Sequence, residues 1–163
     1  MVRAMDEIVL RSMAKWPDVP EVYGWLALDR RGNWLIRSTS ATQSFEKIGN
    51  SALREFIGRN YQPDAQGRWF FQNGPQRVFV KLAYTPFVVH FEGNALLDQC
   101  GRPFGSISTF QDEEGSVLLE GTPGIALLDD RDLERYSENA ASLPRVRRAE
   151  VPKRFGFVAE PDP

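Results

Sequence analysis

The sequence predicts an α+β fold: a curved antiparallel β meander of about seven to eight strands with two or three short helices packed on it. Three observations predict it. The chain of 163 residues carries 4 Trp, 4 Tyr and 11 Phe, enough large rings for one hydrophobic core. From residue 68 onward its apolar residues fall in short runs separated by turn residues. The tetrapeptide Asp-x-x-Gly occurs four times, at 29–32, 64–67, 98–101 and 112–115, where 13 Gly and ten Asp predict fewer than one chance match. Asp in first place caps local amides, and Gly in last place takes the left-handed conformation that closes a three-residue hairpin.

The elements follow in order. Met5, Ile8, Val9, Met13 and Trp16 share one helical face, which Pro17 ends, and Pro17 to Pro20 form a stiff connector. Tyr23–Leu28 and Trp34–Arg37 read as strands, the first with Tyr23 and Trp25 on one face and Leu26 and Leu28 on the other. Asn50 or Ser51 caps a second helix with Leu53, Phe56 and Ile57 as its apolar stripe, stopped by Asn60 and Pro63. Short strands follow at Trp69–Phe71, Arg77–Leu82, Phe87–Glu92, Ser106–Phe110, Val117–Glu120 and Ile125–Leu128. Pro75 lacks the amide that a two-residue Asn73-Gly74 loop requires, so a four-residue loop from Asn73 to Gln76 is expected, pairing Phe70 with Phe79 and Phe71 with Val78. A last short helix places Leu133, Tyr136 and Ala140 at helical spacing.

This assigns 1–142 to a single domain and 143–163 to a basic, Pro-rich C-terminal tail, expected to be loosely packed or mobile. The tail holds five basic residues against three acidic ones, whereas 112–138 holds nine acids against two Arg. That contrast also offers a way for the tail to fold back.

Composition excludes several classes. A net charge of −2 gives no whole-molecule attraction to nucleic acid or to an anionic membrane. Cys100 is the sole cysteine, so no intramolecular disulfide forms and the chain is expected to be cytoplasmic. Asp6 and Glu7 stand where a signal peptide needs apolar residues, and no apolar run approaches the ~20 residues of a membrane helix.

Tyr23-Gly24-Trp25-Leu26-Ala27-Leu28-Asp29-Arg30-Arg31-Gly32, Gln72 to Val80 and Leu127 to Asp132 resemble a family of uncharacterised proteobacterial proteins, small domains of unknown function. The resemblance implies no activity. Locally, Tyr23 to Ile36 is similar to one unit of a WG-type β repeat, an aromatic-Gly strand, an Asp-x-x-Gly turn and a Trp strand in succession. The later turns lack the preceding aromatic-Gly strand.

Candidate chemistry is sparse. One His and one Cys exclude His-rich and thiolate metal sites, and the Asp-x-x-Gly segments read as turns rather than calcium loops, so neither a metal nor another cofactor is expected. Asp129, Asp130 and Asp132 read as helix-start caps. There is no phosphate loop, no Gly-x-Gly-x-x-Gly after a strand and no Gly-x-Ser-x-Gly elbow. One constellation stands out. Alternation in the 68–82 hairpin puts Arg68, Phe70, Arg77, Phe79 and Lys81 on one face, opposite Trp69, Phe71, Val78, Val80 and Leu82. His90 and Glu92 share a side of the next strand. These seven residues are the candidate binding set, with no catalytic residue assigned.

The reading that results is a non-catalytic binding or protein-interaction module with a protein or small-molecule partner. Two alternatives stand beside it. An enzyme using carboxylate and Arg chemistry would bring Glu92 to Arg77 and show a perturbed carboxyl in a cleft. A single-stranded nucleic-acid binder would stack bases on Phe70 and Phe79, a use the net charge argues against. The open edges of a meander also offer a route to homodimerisation.

Overall fold

Asp-x-x-Gly sets the pattern of the chain, and all four copies form the same turn. The structure, a computed structural model, describes residues 6–15, 18–38, 44–136 and 140–163. In each turn the Asp carboxylate accepts from the amides two and four residues on, and the Gly amide donates to the Asp carbonyl. The four Gly have φ between +77° and +83°. Each turn therefore engages one carboxylate oxygen of its own Asp, as hairpin chemistry requires.

Among the described residues eleven strands result, β1 (Val22–Leu28), β2 (Trp34–Arg37), β3 (Phe45–Lys47), β4 (Tyr61–Pro63), β5 (Trp69–Asn73), β6 (Gln76–Leu82), β7 (Phe87–Glu92), β8 (Ala95–Asp98), β9 (Ser106–Gln111), β10 (Val117–Gly121) and β11 (Gly124–Leu128). The α-helices are α1 (Glu7–Lys15), α2 (Ser51–Arg59) and α3 (Val151–Phe155). The α+β class is as expected, but the strands form two sheets rather than one continuous meander. The first has the order β3-β2-β1-β6-β5-β4 and the second β8-β7-β11-β10-β9. Strands consecutive in the chain that pair with each other do so antiparallel, while β1–β6 and β7–β11 pair parallel. Leu26, Ala27 and Leu28 are all buried, so β1 is a central strand that needs a partner on both edges. Alternation cannot say which strand supplies the second edge.

The hairpin register is the expected one: Phe70 faces Phe79 and Phe71 faces Val78. Pairing continues to Asn73–Gln76, so the loop is two residues, not four. Gly74, with φ +56°, takes the first central place and Pro75 the second, where no amide is needed.

One core joins the sheets. Phe87 of the second sheet packs edge-on against Trp69 at 5.0 Å and Tyr61 at 5.9 Å, and the Tyr61 hydroxyl donates to the Pro86 carbonyl at 2.7 Å. Asn50 caps α2 by accepting from the Leu53 amide, and Phe56 of α2 meets Phe71 edge-on at 5.5 Å. The α1 stripe is only partly buried. Val9 is enclosed but Ile8 is 68% exposed, and Met5 and Trp16 lie outside the described residues. The start of α1 is tied to the end of α2, through Asp6 to Arg59 and the Asp6 amide to Asn60. The short helix expected around Leu133 and Tyr136 is a 3₁₀ segment, Asp130–Tyr136, with Asp129 accepting from the amide and guanidinium of Arg131 at its start.

Residues 143–163 are not a loose tail. Val146, Val151 and Phe157 are buried in the common core. The Leu82 amide donates to the Ala159 carbonyl and the Val158 amide to Gly67. Arg148 pairs with Glu114 at 2.6 Å, so the basic segment does meet the acidic one. Apolar residues spaced among Pro and Arg carry the docking, and a charge-and-proline reading undercounts them.

No helix among the described residues is long and apolar enough to cross a membrane.

Candidate functional site

The ring-and-cation face exists, and it is closed. Alternation sends Trp69, Phe71, Val80 and Leu82 into the main core and leaves Phe70 and Phe79 on the other side of the sheet. Yet Phe70 is 2% and Phe79 1% exposed. Tyr23 lies parallel to Phe79, 4.6 Å between centroids with 3° between planes. The Arg68 guanidinium covers Phe79 at 4.8 Å, and Arg77 covers Phe70 at 4.4 Å. The covering is therefore done by side chains of the sheet's own strands, whereas α2 packs on the opposite face against Phe71. No face of Phe70 or Phe79 is left for a base to stack on.

The cations differ in how they are held. Arg68 donates to the Asp64 carboxylate at 2.8 Å, to the Tyr23 hydroxyl at 3.2 Å and to the Asp162 carbonyl at 2.8 Å. Burial works against the Asp64 charge, but the Arg68 and Gln66 amides and the Arg68 guanidinium outweigh it, holding the carboxyl below its usual range. Burial and the neighbouring Glu21 carboxylate push the Tyr23 hydroxyl up. Lys81 reaches Glu160 at 3.7 Å with both side chains largely exposed. The Arg77 guanidinium donates to no acceptor among the described residues. Beside Arg77 and Phe70 lies an open recess of about 550 Å³, bounded by Gln62, Asp64, Gln66 and Arg68.

His90 and Glu92 lie elsewhere. They share a side of β7 in the second sheet and touch each other at 3.3 Å, while Arg77 lies on β6 of the first. The candidate set thus splits into five residues around one sheet face and two on the other sheet, and Glu92 does not join Arg77. The carboxyls with resolved shifts, Asp6, Asp64 and Asp129, are all lowered, each beside an Arg. None has the raised value of a general acid in a cleft. Among the described residues no three His, Cys, Asp or Glu side chains are placed to hold a metal ion.

A second recess lies among residues outside the candidate set. Trp25 on β1, Ile36 on β2 and Leu53 on α2 are 45%, 45% and 39% exposed around an apolar groove of about 320 Å³. Its floor includes Leu26, Phe71 and Val78, and no charged residue lines it. Strict alternation puts Trp25 with Tyr23, away from Leu26. The structure separates the two rings, because the β1–β6 register shifts between Val22 and Leu26 and Gly24 takes φ +78°. The signal was in the sequence: a Gly inside a strand pattern marks a bulge that re-aims the next side chain.

Comparison with known proteins agrees with this architecture. No curated protein matches the chain. A solved structure, a DUF1285 family protein from Silicibacter pomeroyi DSS-3, is similar with a TM-score of 0.53 at 15% identity, over 85% of this chain and 78% of that one. At that identity the likeness is one of fold. The DUF2944 family model, described as "Protein of unknown function (DUF2946)", matches residues 5–162. With nearly the whole length aligned, from α1 through the docked C-terminal segment, the chain belongs to that family of unknown function.

Proposed function

We propose that this chain is a non-catalytic protein-interaction module, acting in the cytoplasm, that docks an apolar helix of a partner protein in the groove beside α2. The observation that carries the reading is the groove itself. Three large apolar side chains, each about two-fifths or more exposed, surround one uncharged recess. Isolated exposed apolar residues need no explanation, but a contiguous set around a concavity marks an interaction surface. A central Trp is the residue type that most often anchors such contacts. A helix is the fitting occupant because α2, nine residues long, covers only part of this sheet face, and a second helix laid alongside completes the layer. The lowered carboxyls and the separation of Glu92 from Arg77 support a non-catalytic role. The single cysteine supports the compartment.

The test is site-specific photocrosslinking in cells, with a photoreactive residue at Leu53 or Ile36. Ile107, 73% exposed on β9 of the other sheet, serves as the control position. Adducts to a helical segment of one partner are expected from the groove positions and not from Ile107, and Trp25→Glu should abolish them. Equal trapping at Ile107, or adducts that persist in Trp25→Glu, would refute the proposal. Adducts of the chain with itself would replace the foreign partner by a second copy.

A further inference from the structure

The recess beside Phe70 lies on the opposite sheet face from the groove, and a separate observation bears on it. Three cations flank the Phe70–Phe79 pair. Arg68 is paired with Asp64 at 2.8 Å and Lys81 with Glu160 at 3.7 Å, whereas Arg77 has no acidic partner among the described residues. Its guanidinium is nonetheless positioned, 4.4 Å over a ring that is itself buried. A cation–π contact holds the group over the ring but uses none of its N–H donors. The result is a planar fork of donors, without an acceptor among the described residues, at the side of a recess of about 550 Å³, a size that suits a small molecule.

The charge of the recess narrows the ligand. Asp64 offsets Arg68, since it lies against that guanidinium and spends its oxygens on it and on the amides of its own turn. One positive charge, that of Arg77, remains uncompensated among the recess residues. Gln62 and Gln66 add amide groups that both donate and accept. From this geometry we infer that the recess is a binding site for a small molecule bearing one carboxylate, held in bidentate fashion by Arg77 with its neutral polar atoms on Gln62 and Gln66. A carboxylate matches the planar fork in geometry and the single spare charge in number. A phosphate, with up to two charges at neutral pH, leaves an excess negative charge beside Asp64. Arg77 is thereby a ligand-contacting residue, and Arg68 a positioning residue that holds the β4–β5 turn and Asp64 in place.

Calorimetric titration of the full chain at neutral pH tests this, with benzoate as the probe and inorganic phosphate as the comparison at matched ionic strength. Benzoate is expected to bind saturably and phosphate several-fold more weakly. Arg77→Gln should weaken benzoate binding by about tenfold or more, the loss of one charge-assisted bidentate pair. Arg77→Lys, which keeps the charge and loses the fork, should fall between. Lys47→Gln, on β3 at the opposite edge of the sheet and outside the recess, should bind as the wild type does. Unfolding midpoints of the variants close to that of the wild type would show that the fold is retained. Benzoate binding that fails to saturate, is unchanged in Arg77→Gln, or is weaker than that of phosphate would overturn the assignment. None of these outcomes bears on the groove, whose crosslinking is read on other residues.

Discussion

Gly67 and Gly115 hold the same place in two copies of one turn, with φ +79° and +83°, yet they face different surroundings. A Cβ on Gly115 would meet nothing within 4 Å, whereas one on Gly67 would overlap the Gly156 carbonyl. Gly115→Ala is therefore expected to cost only the left-handed penalty, about 1–2 kcal/mol. Gly67→Ala should cost more, because the clash is with backbone and the docked C-terminal segment must shift to relieve it. Urea unfolding of the two variants measures the difference, and equal losses would contradict the close approach. Phe70 and Phe79 teach a related lesson. Their identity and facing were readable from alternation, but their closure depends on Tyr23, 47 positions upstream of Phe70 in the sequence, and on two guanidiniums that swing over the rings.

At the scale of the element, the Asp-x-x-Gly hairpin is a self-contained electrostatic unit. The Asp64 carboxyl lies below its unfolded value because two amides and the Arg68 guanidinium prefer it charged, in spite of burial. A depressed folded value contributes stability above the unfolded value, near 4, and loses it as pH falls through the folded one. Asp64→Asn keeps an acceptor for the turn amides but removes the charge. The variant is expected to be less stable than the wild type at pH 7 and to converge with it near pH 2, with a flatter acid limb. Urea midpoints measured across that range check it, and parallel curves would show that Asp64 is not so held. The same unit recurs at Asp112 in another setting: its second oxygen accepts from the Tyr84 hydroxyl at 2.7 Å, and Arg30 and Arg148 lie over the Tyr84 ring at 5.2 and 4.9 Å. One local motif thus ties the first sheet, the second sheet and the C-terminal segment together.

For the whole molecule, the C-terminal segment is part of the architecture. Phe157 is buried in the core that both sheets share, and the backbone of Val158 and Ala159 is bonded to Gly67 and Leu82. Phe157→Ala is expected to cost about 3–5 kcal/mol, the range for emptying a buried Phe site. A loss under about 1 kcal/mol by urea unfolding would indicate a segment that rests on the surface instead. The two-sheet arrangement also explains why the seven candidate residues do not converge. β6 and β7 are consecutive in the chain, yet the step from Leu82 to Phe87 crosses from one sheet to the other and takes His90 and Glu92 with it.

Residue order alone specifies the local structure of this protein: the α+β class, all four hairpin turns, the α2 cap and the Phe70–Phe79 register. Each rests on interactions between residues close along the chain or paired across one tight loop, so spacing and residue type suffice to state them. Only the tertiary structure decided the rest. Which strand flanks β1, whether Phe70 is covered, and where Trp25 points all depend on groups far apart in sequence and on a bulge whose direction its partner strand sets. The C-terminal segment belongs here too, since whether sparse apolar residues dock depends on the cavity that receives them. Local hydrogen bonds are specified residue by residue, whereas burial is a property of the assembled surface.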